Sequence, residues 1–211
     1  MSTTLTLTEI PPLVLRLAPV VEMSDEQFFA LCQLNRDLRI ERTSQGDLVI
    51  VPPTGGETGR MNFKLTQVFG NWVDTNGTGV GFDSSTGFTL PNGAKRSPDL
   101  SWVRRSRWEA LTQQQREQFP PLCPDFVLEL RSPSDALAPV QAKLQEYLDN
   151  GAQLGWLIDP IEKKVYVYRP RAPVECLDNP QTISGAPLLP GFVLELGNIW
   201  NGWEVQRLRW T

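Results

Sequence analysis

Apolar positions in this chain recur at two spacings, and the switches between them outline an α/β protein. The run "SDEQFFALCQLNRD" predicts a helix. Ser24 caps it and Gln27 stands at the capping-box return position. "LRIERT" and "DLVIVP" flank the turn "SQG", which predicts a hairpin over 38–51. "PPTGGETGR" is a loop leading into a second helix, with Met61, Leu65, Val68, Phe69 and Trp72 on one buried face. Strands follow at 79–82, 86–90 and 97–103, then one or two short surface helices in "RWEALTQQQREQF". "PDFVLEL" is a strand over 125–131. The next helix begins near Pro139, a residue suited to a first turn, and ends at Asn150-Gly151. "QLGWLI" is an apolar strand closed by Asp159-Pro160, and "KVYVYR" pairs with it. A strand near 192–195 precedes an aromatic tail with Trp200, Trp203 and Trp210. Residues 1–22 read as an extended arm and 23–211 as a single domain. The central order of helix, three strands, helix and strand predicts a mixed sheet covered on both faces.

Composition narrows the chemistry. Twenty Lys and Arg stand against 24 Asp and Glu, a net charge of -4, which disfavours a generic nucleic-acid binder but permits an enzyme with one local basic patch. There is no histidine, which removes Ser-His-Asp and Cys-His catalysis and His-ligated zinc. Hydrolysis must then use carboxylates, Lys, Tyr or a hard metal on oxygen ligands. The cysteines, Cys32, Cys123 and Cys176, form no CxxC pattern and suit a reducing cytoplasm. The stretch Leu13 to Val21 is short and contains Arg16, so neither a signal peptide nor a membrane span is expected.

Strand 125–131 alternates Phe126, Leu128 and Leu130 on one face with Asp125, Val127, Glu129 and Arg131 on the other. Glu129 is therefore a carboxylate in an otherwise buried-looking strand, although a Glu–Arg pair on a half-exposed face explains it equally well. Asp99 follows Pro98 and shares a face with Ser101 and Val103; alone, it is an ordinary strand-entry turn. The weight lies in the combination of Pro-Asp, then Glu-x-basic on the next strand, then a helix.

That combination resembles the PD-(D/E)XK nuclease superfamily. More narrowly, it is similar to the large bacterial family of "putative restriction endonucleases". The resemblance rests on Pro98-Asp99, Glu129-Leu130-Arg131, Ser132-Pro133-Ser134, Lys143, Tyr147, Gly151 and the run from Trp156 to Pro160. It covers roughly residues 24–200; the run over 124–160 is specific and Pro-Asp by itself is not. It implies a restriction-endonuclease-like fold, with an αβββαβ core at about 54–160, an N-terminal helix-hairpin and C-terminal strand additions. It also implies that Asp99, Glu129 and the backbone carbonyl of Leu130 hold Mg²⁺ or Mn²⁺ for hydrolysis of DNA phosphodiesters. Hard oxygen donors with open positions suit that ion.

One departure matters. The superfamily places lysine where this chain has Arg131; a guanidinium cannot act as a base, but Arg131 is expected beside Glu129, holding it ionised and, with Lys143, stabilising charge on the phosphate. The family often carries its lysine on the following helix, here Lys143, at the edge of a stripe formed by Val140, Leu144, Tyr147 and Leu148. Glu57 is a secondary metal candidate, although Thr54-x-x-Glu57 is also a capping box. Asp135 reads as a helix cap, and Trp102, Trp156 and Phe126 as core. Lys95, Arg96, Arg104, Arg105 and Arg107 are phosphate-contact candidates or a solvated surface. A homodimer is expected, with the aromatic tail as interface. The alternative function is a non-catalytic binding or regulatory module on the nuclease fold. A metal-dependent hydrolase of another substrate has no positive support in the sequence.

Overall fold

The computed structural model describes residues 12–201. In chain order these form β1 (Leu13–Leu15), α1 (Asp25–Leu34), β2 (Arg39–Arg42), β3 (Leu48–Val51), α2 (Gly56–Asn76), β4 (Gly79–Asp83), β5 (Phe88–Thr89), β6 (Lys95–Arg96) and β7 (Leu100–Arg104). Then come the short helices α3 (Arg105–Glu109) and α4 (Gln113–Glu117), β8 (Phe126–Leu130), α5 (Leu137–Asp149), β9 (Leu154–Asp159) and β10 (Lys164–Tyr168). The last elements are β11 (Glu175–Asp178), β12 (Thr182–Ser184), β13 (Val193–Glu195) and α6 (Gly197–Trp200).

The main sheet has the order β11-β10-β9-β8-β7-β4 among the described residues. Its pairs are antiparallel except β8 with β9, which run parallel and are joined by α5. Strand alternation sorts the core into two layers. Leu100, Trp102, Phe126, Leu128, Leu130, Trp156 and Ile158 pack against Leu65 and Phe69 of α2, with Phe192, Leu194 and Trp200 from the C-terminal elements. Val103, Val127 and Leu157 face the other way, onto Leu144 and Tyr147 of α5. The mixed sheet covered on both faces is therefore present.

The αβββαβ core is α2, β4, β7, β8, α5 and β9. The segment expected as a strand at 86–90 lies elsewhere. Its strand part, β5, pairs with β6, and β6 pairs with β2 in a second sheet of order β1-β3-β2-β6-β5. The cause is local: Gly93 adopts φ 86°, and Leu90 N–H donates to Ala94 O at 2.8 Å, so 88–96 closes on itself as a hairpin. This second sheet carries the β2–β3 hairpin across to the α5 side of the main sheet.

Several caps differ from expectation. Ser24 and Gln27 form both halves of the capping box on α1. On α2 the N-cap is Gly55 rather than Thr54, and the Thr54–Glu57 box is not formed. Ala136 caps α5 without a side-chain bond, while the Asp135 carboxylate accepts from the N–H and hydroxyl of Ser132, holding the "RSPS" turn instead. Trp200 is buried and its Nε1 donates to Pro180 O at 2.7 Å. It is core rather than interface; Trp203 and Trp210 lie outside the described residues. No helix among the described residues is long and apolar enough to cross a membrane.

Candidate active site

Asp99 immediately precedes β7. The register Leu100↔Leu128 and Ser101↔Val127, carried on by one residue, sets Asp99 opposite Glu129. Both belong to the face beneath α5. The Asp99 Oδ2 atom accepts the N–H of Leu130 at 2.9 Å. In an extended strand the Leu130 carbonyl is turned to the same edge as its N–H. Every residue of β8 is buried, so Glu129 is not on a half-exposed face.

Helix α5 supplies the cation. Its apolar stripe seats Leu144 and Tyr147 on the sheet, which directs Lys143, one turn ahead of Tyr147, toward the strand ends. Lys143 Nζ lies 2.9 Å from Glu129 Oε1, and Tyr147 OH donates to the same oxygen at 3.3 Å. Lys143 Nζ also donates to Ser97 O at 3.1 Å.

Strand β2 brings two residues that sequence reasoning missed. Arg39 and Glu41 alternate with Ile40 and so share a face. Arg39 reaches Asp99 Oδ1 at 3.5 Å and also donates to Ser97 O. Glu41 Oε1 lies 3.0 Å from Lys143 Nζ and accepts the Ser97 N–H at 3.1 Å. Arg96 braces Glu41 Oε2 at 3.1 Å and Glu146 Oε2 at 2.6 Å. The only signal in the sequence was the charged-apolar-charged run "RIE"; nothing there says against which sheet that face packs.

Glu41, Asp99 and Glu129 thus share Arg39, Arg96 and Lys143 in a nearly dry space. The Glu41 and Glu129 side chains keep only 4% and 7% of their exposure. Their fates differ because the cations are shared unequally. Burial pushes Glu41 upward, but Lys143, Arg96 and Arg39 outweigh it and hold its carboxyl at about 2. Burial also pushes Glu129 upward. Lys143 and, more weakly, Arg39 oppose it, but Asp99 and Glu41 add to the push, so Glu129 rises to about 7. Lys143 is raised above its ordinary value: burial lowers it, and Glu129 and Glu41 more than compensate.

The structure does not bring every predicted residue here. Arg131 pairs with Asp159 Oδ2 at 2.8 Å and donates to Asp135 O at 3.0 Å; it is engaged on the β9 side rather than with Glu129. It does not hold Glu129 ionised, which corrects the expected pairing. Glu57 sits on the exposed start of α2 and pairs with Arg60 at 2.8 Å. Lys95 is buried against Asp25 at 2.8 Å, so it is no phosphate contact. Arg104 and Arg107 flank Asp125 at 3.6 and 3.0 Å, and Arg105 donates to Gly77 O at 2.8 Å.

A family model described as "Uma2: Putative restriction endonuclease" matches residues 25–197, most of the chain. The chain belongs to the Uma2 family. A crystal structure described as a putative nuclease belonging to DUF820, from Anabaena variabilis, is similar to it with a TM-score of 0.71. The two share 22% identity over 85% of this chain and 98% of that one, a likeness that shows the restriction-endonuclease-like fold. No curated protein matches the chain.

The donors present fit a hard divalent ion. Asp99, Glu129 and the Leu130 carbonyl are oxygen donors at the edge of two neighbouring strands, and Glu129 is buried with less counter-charge than its neighbour Glu41. Among the described residues no group of three or more His, Cys, Asp or Glu side chains is gathered as a metal cluster. The fit therefore rests on two carboxylates and a backbone oxygen.

Proposed function

We propose that this Uma2-family protein is a Mg²⁺-dependent endonuclease that hydrolyses DNA phosphodiesters, with Mn²⁺ as a working substitute. The observation that carries the reading is the pairing of Asp99 and Glu129 on one face, with Lys143 2.9 Å from Glu129. Asp99, Glu129 and the Leu130 carbonyl hold the ion. Bound Mg²⁺ supplies Lewis-acid activation of water and offsets charge developing on the phosphate. Lys143 orients the water and stabilises the negative charge of the transition state. Arg39, at the rim with 31% of its side chain exposed and beside Asp99, would be placed to meet a phosphate. Tyr147 keeps Glu129 oriented.

Nicking of supercoiled plasmid in Mg²⁺ or Mn²⁺ tests this. Asp99→Ala loses both cleavage and metal binding. Lys143→Ala loses cleavage and still binds Mn²⁺. A wild type that binds neither ion and leaves the plasmid intact refutes the reading and favours the non-catalytic module. As a double-strand cutter the protein works as a homodimer, one site for each strand. Light scattering that gives a monomer mass at all concentrations removes that arrangement.

A further inference from the structure

Lys143 has more acceptors than a lysine needs for a single ion pair. Its Nζ lies between Glu129 Oε1 at 2.9 Å, Glu41 Oε1 at 3.0 Å and Ser97 O at 3.1 Å. An ammonium has three donors, and here all three are used. If Glu129 turns to a metal, one acceptor leaves. What remains is Ser97 O and Glu41.

Glu41 is built to stay in place. It comes from β2, in a different sheet from Asp99 and Glu129. One of its oxygens accepts the Ser97 N–H at 3.1 Å, two residues before Asp99. The other is held by Arg96 at 3.1 Å, and Arg96 is fixed in turn by Glu146 at 2.6 Å on the same helix as Lys143. Glu146 also accepts from Asn92 Nδ2 at 3.0 Å. The carboxylate is anchored from both ends, buried, and held in its charged form by three cations. Among the described residues Glu129 is held only by Lys143 and the Tyr147 hydroxyl.

We propose that Glu41 is a positioning residue: it draws Lys143 off Glu129, freeing that carboxylate for the metal while keeping the ammonium at the reacting centre. This deepens the nuclease reading and rests on it. Glu41 acts through Lys143 and touches neither substrate nor ion. Without its charge, Lys143 pairs with Glu129 alone and competes with the metal.

A double-mutant cycle on the full chain tests this, with Mn²⁺ as the probe in isothermal titration. Glu41→Gln keeps size and hydrogen bonding but removes the charge. It weakens Mn²⁺ binding by about tenfold in the wild-type background and by less than about twofold when Lys143→Met is already present. Plasmid cleavage by Glu41→Gln falls in kcat with KM nearly unchanged, and Glu41→Asp recovers most of it. A structural role behaves differently: it lowers Mn²⁺ affinity equally in both backgrounds, and that result overturns the proposal. Glu41→Met in both backgrounds, which also removes the charge, provides the same cycle should Glu41→Gln fold poorly by circular dichroism. A wild type that binds Mn²⁺ but never cuts DNA refutes the nuclease reading and leaves the Mn²⁺ cycle to decide on Glu41. A wild type that binds no Mn²⁺ overturns both.

Discussion

At the scale of single residues, the site is governed by how few cations serve its buried acids. Glu129 binds its proton more tightly in the folded protein, near 7, than in an unfolded chain, near 4.5. Its contribution to the stability of the metal-free protein is therefore complete below 4.5 and is lost as pH rises through 7, on the order of 3 kcal/mol. Glu41 has the opposite sign. Its folded value, about 2, lies below 4.5, so its contribution is present above 4.5 and is lost as pH falls through 2. Urea midpoints of metal-free protein should fall between about pH 5 and pH 8, and Glu129→Gln should flatten that fall. A midpoint that rises over this range refutes the assignment. If Glu129 holds the proposed ion, binding displaces its proton, and Mn²⁺ affinity should drop by up to about tenfold per pH unit below 7.

At the scale of elements, the lysine reaches the site only because α5 sits close to the sheet. Gly155 on β9 makes that possible. A Cβ there would lie 2.8 Å from Leu144 Cδ1 and 3.3 Å from Leu148 Cδ2, both on α5. Gly155→Ala should lift or tilt the helix at a cost of about 1–3 kcal/mol. Because Lys143 and Tyr147 ride on the same helix, cleavage should fall by more than the loss of folded protein explains. Thermal unfolding beside plasmid nicking at a temperature where both proteins are folded separates the two effects. Unchanged stability and activity would mean that the helix position is not so constrained.

At the scale of the molecule, the second sheet is part of the site because it delivers Arg39, Glu41 and Arg96. Its charged attachment to α1 centres on one carboxylate: Asp25 pairs with Arg42 at 2.6 Å and with the buried Lys95 at 2.8 Å, while Arg42 also lies over the Phe28 ring of α1 at 5.3 Å. Asp25→Ala strands the Lys95 ammonium, and breaking a buried pair in this way costs about 3 kcal/mol or somewhat less, since Asp25 itself is half exposed. Lys95→Met in the same chain should restore most of the loss, because a methionine there needs no partner. Chemical denaturation of the three variants measures this; no rescue by Lys95→Met would show that Arg42 carries the attachment.

The sequence by itself determined the main helices and strands and the central αβββαβ order, because burial periodicity and turn chemistry are local; the short elements β11, β12 and α6 were not legible in it. The alternation around Glu129, the Pro98-Asp99 strand entry and the edge position of Lys143 were all legible in this way. Tertiary structure decided what local pattern cannot encode. The turn at Gly93 sent β5 and β6 to a second sheet, and that sheet brought β2 against the strand ends. Arg39 and Glu41 lie about 60 residues from Asp99 and further from Lys143, so only the folded chain makes them neighbours. Arg131 shares a strand parity with Glu129, yet it lies beyond the last residue of β8, where Asp159 on β9 captures it. The reason is electrostatic: in a dry interior a charge is bound by whichever opposite charge the packing brings closest.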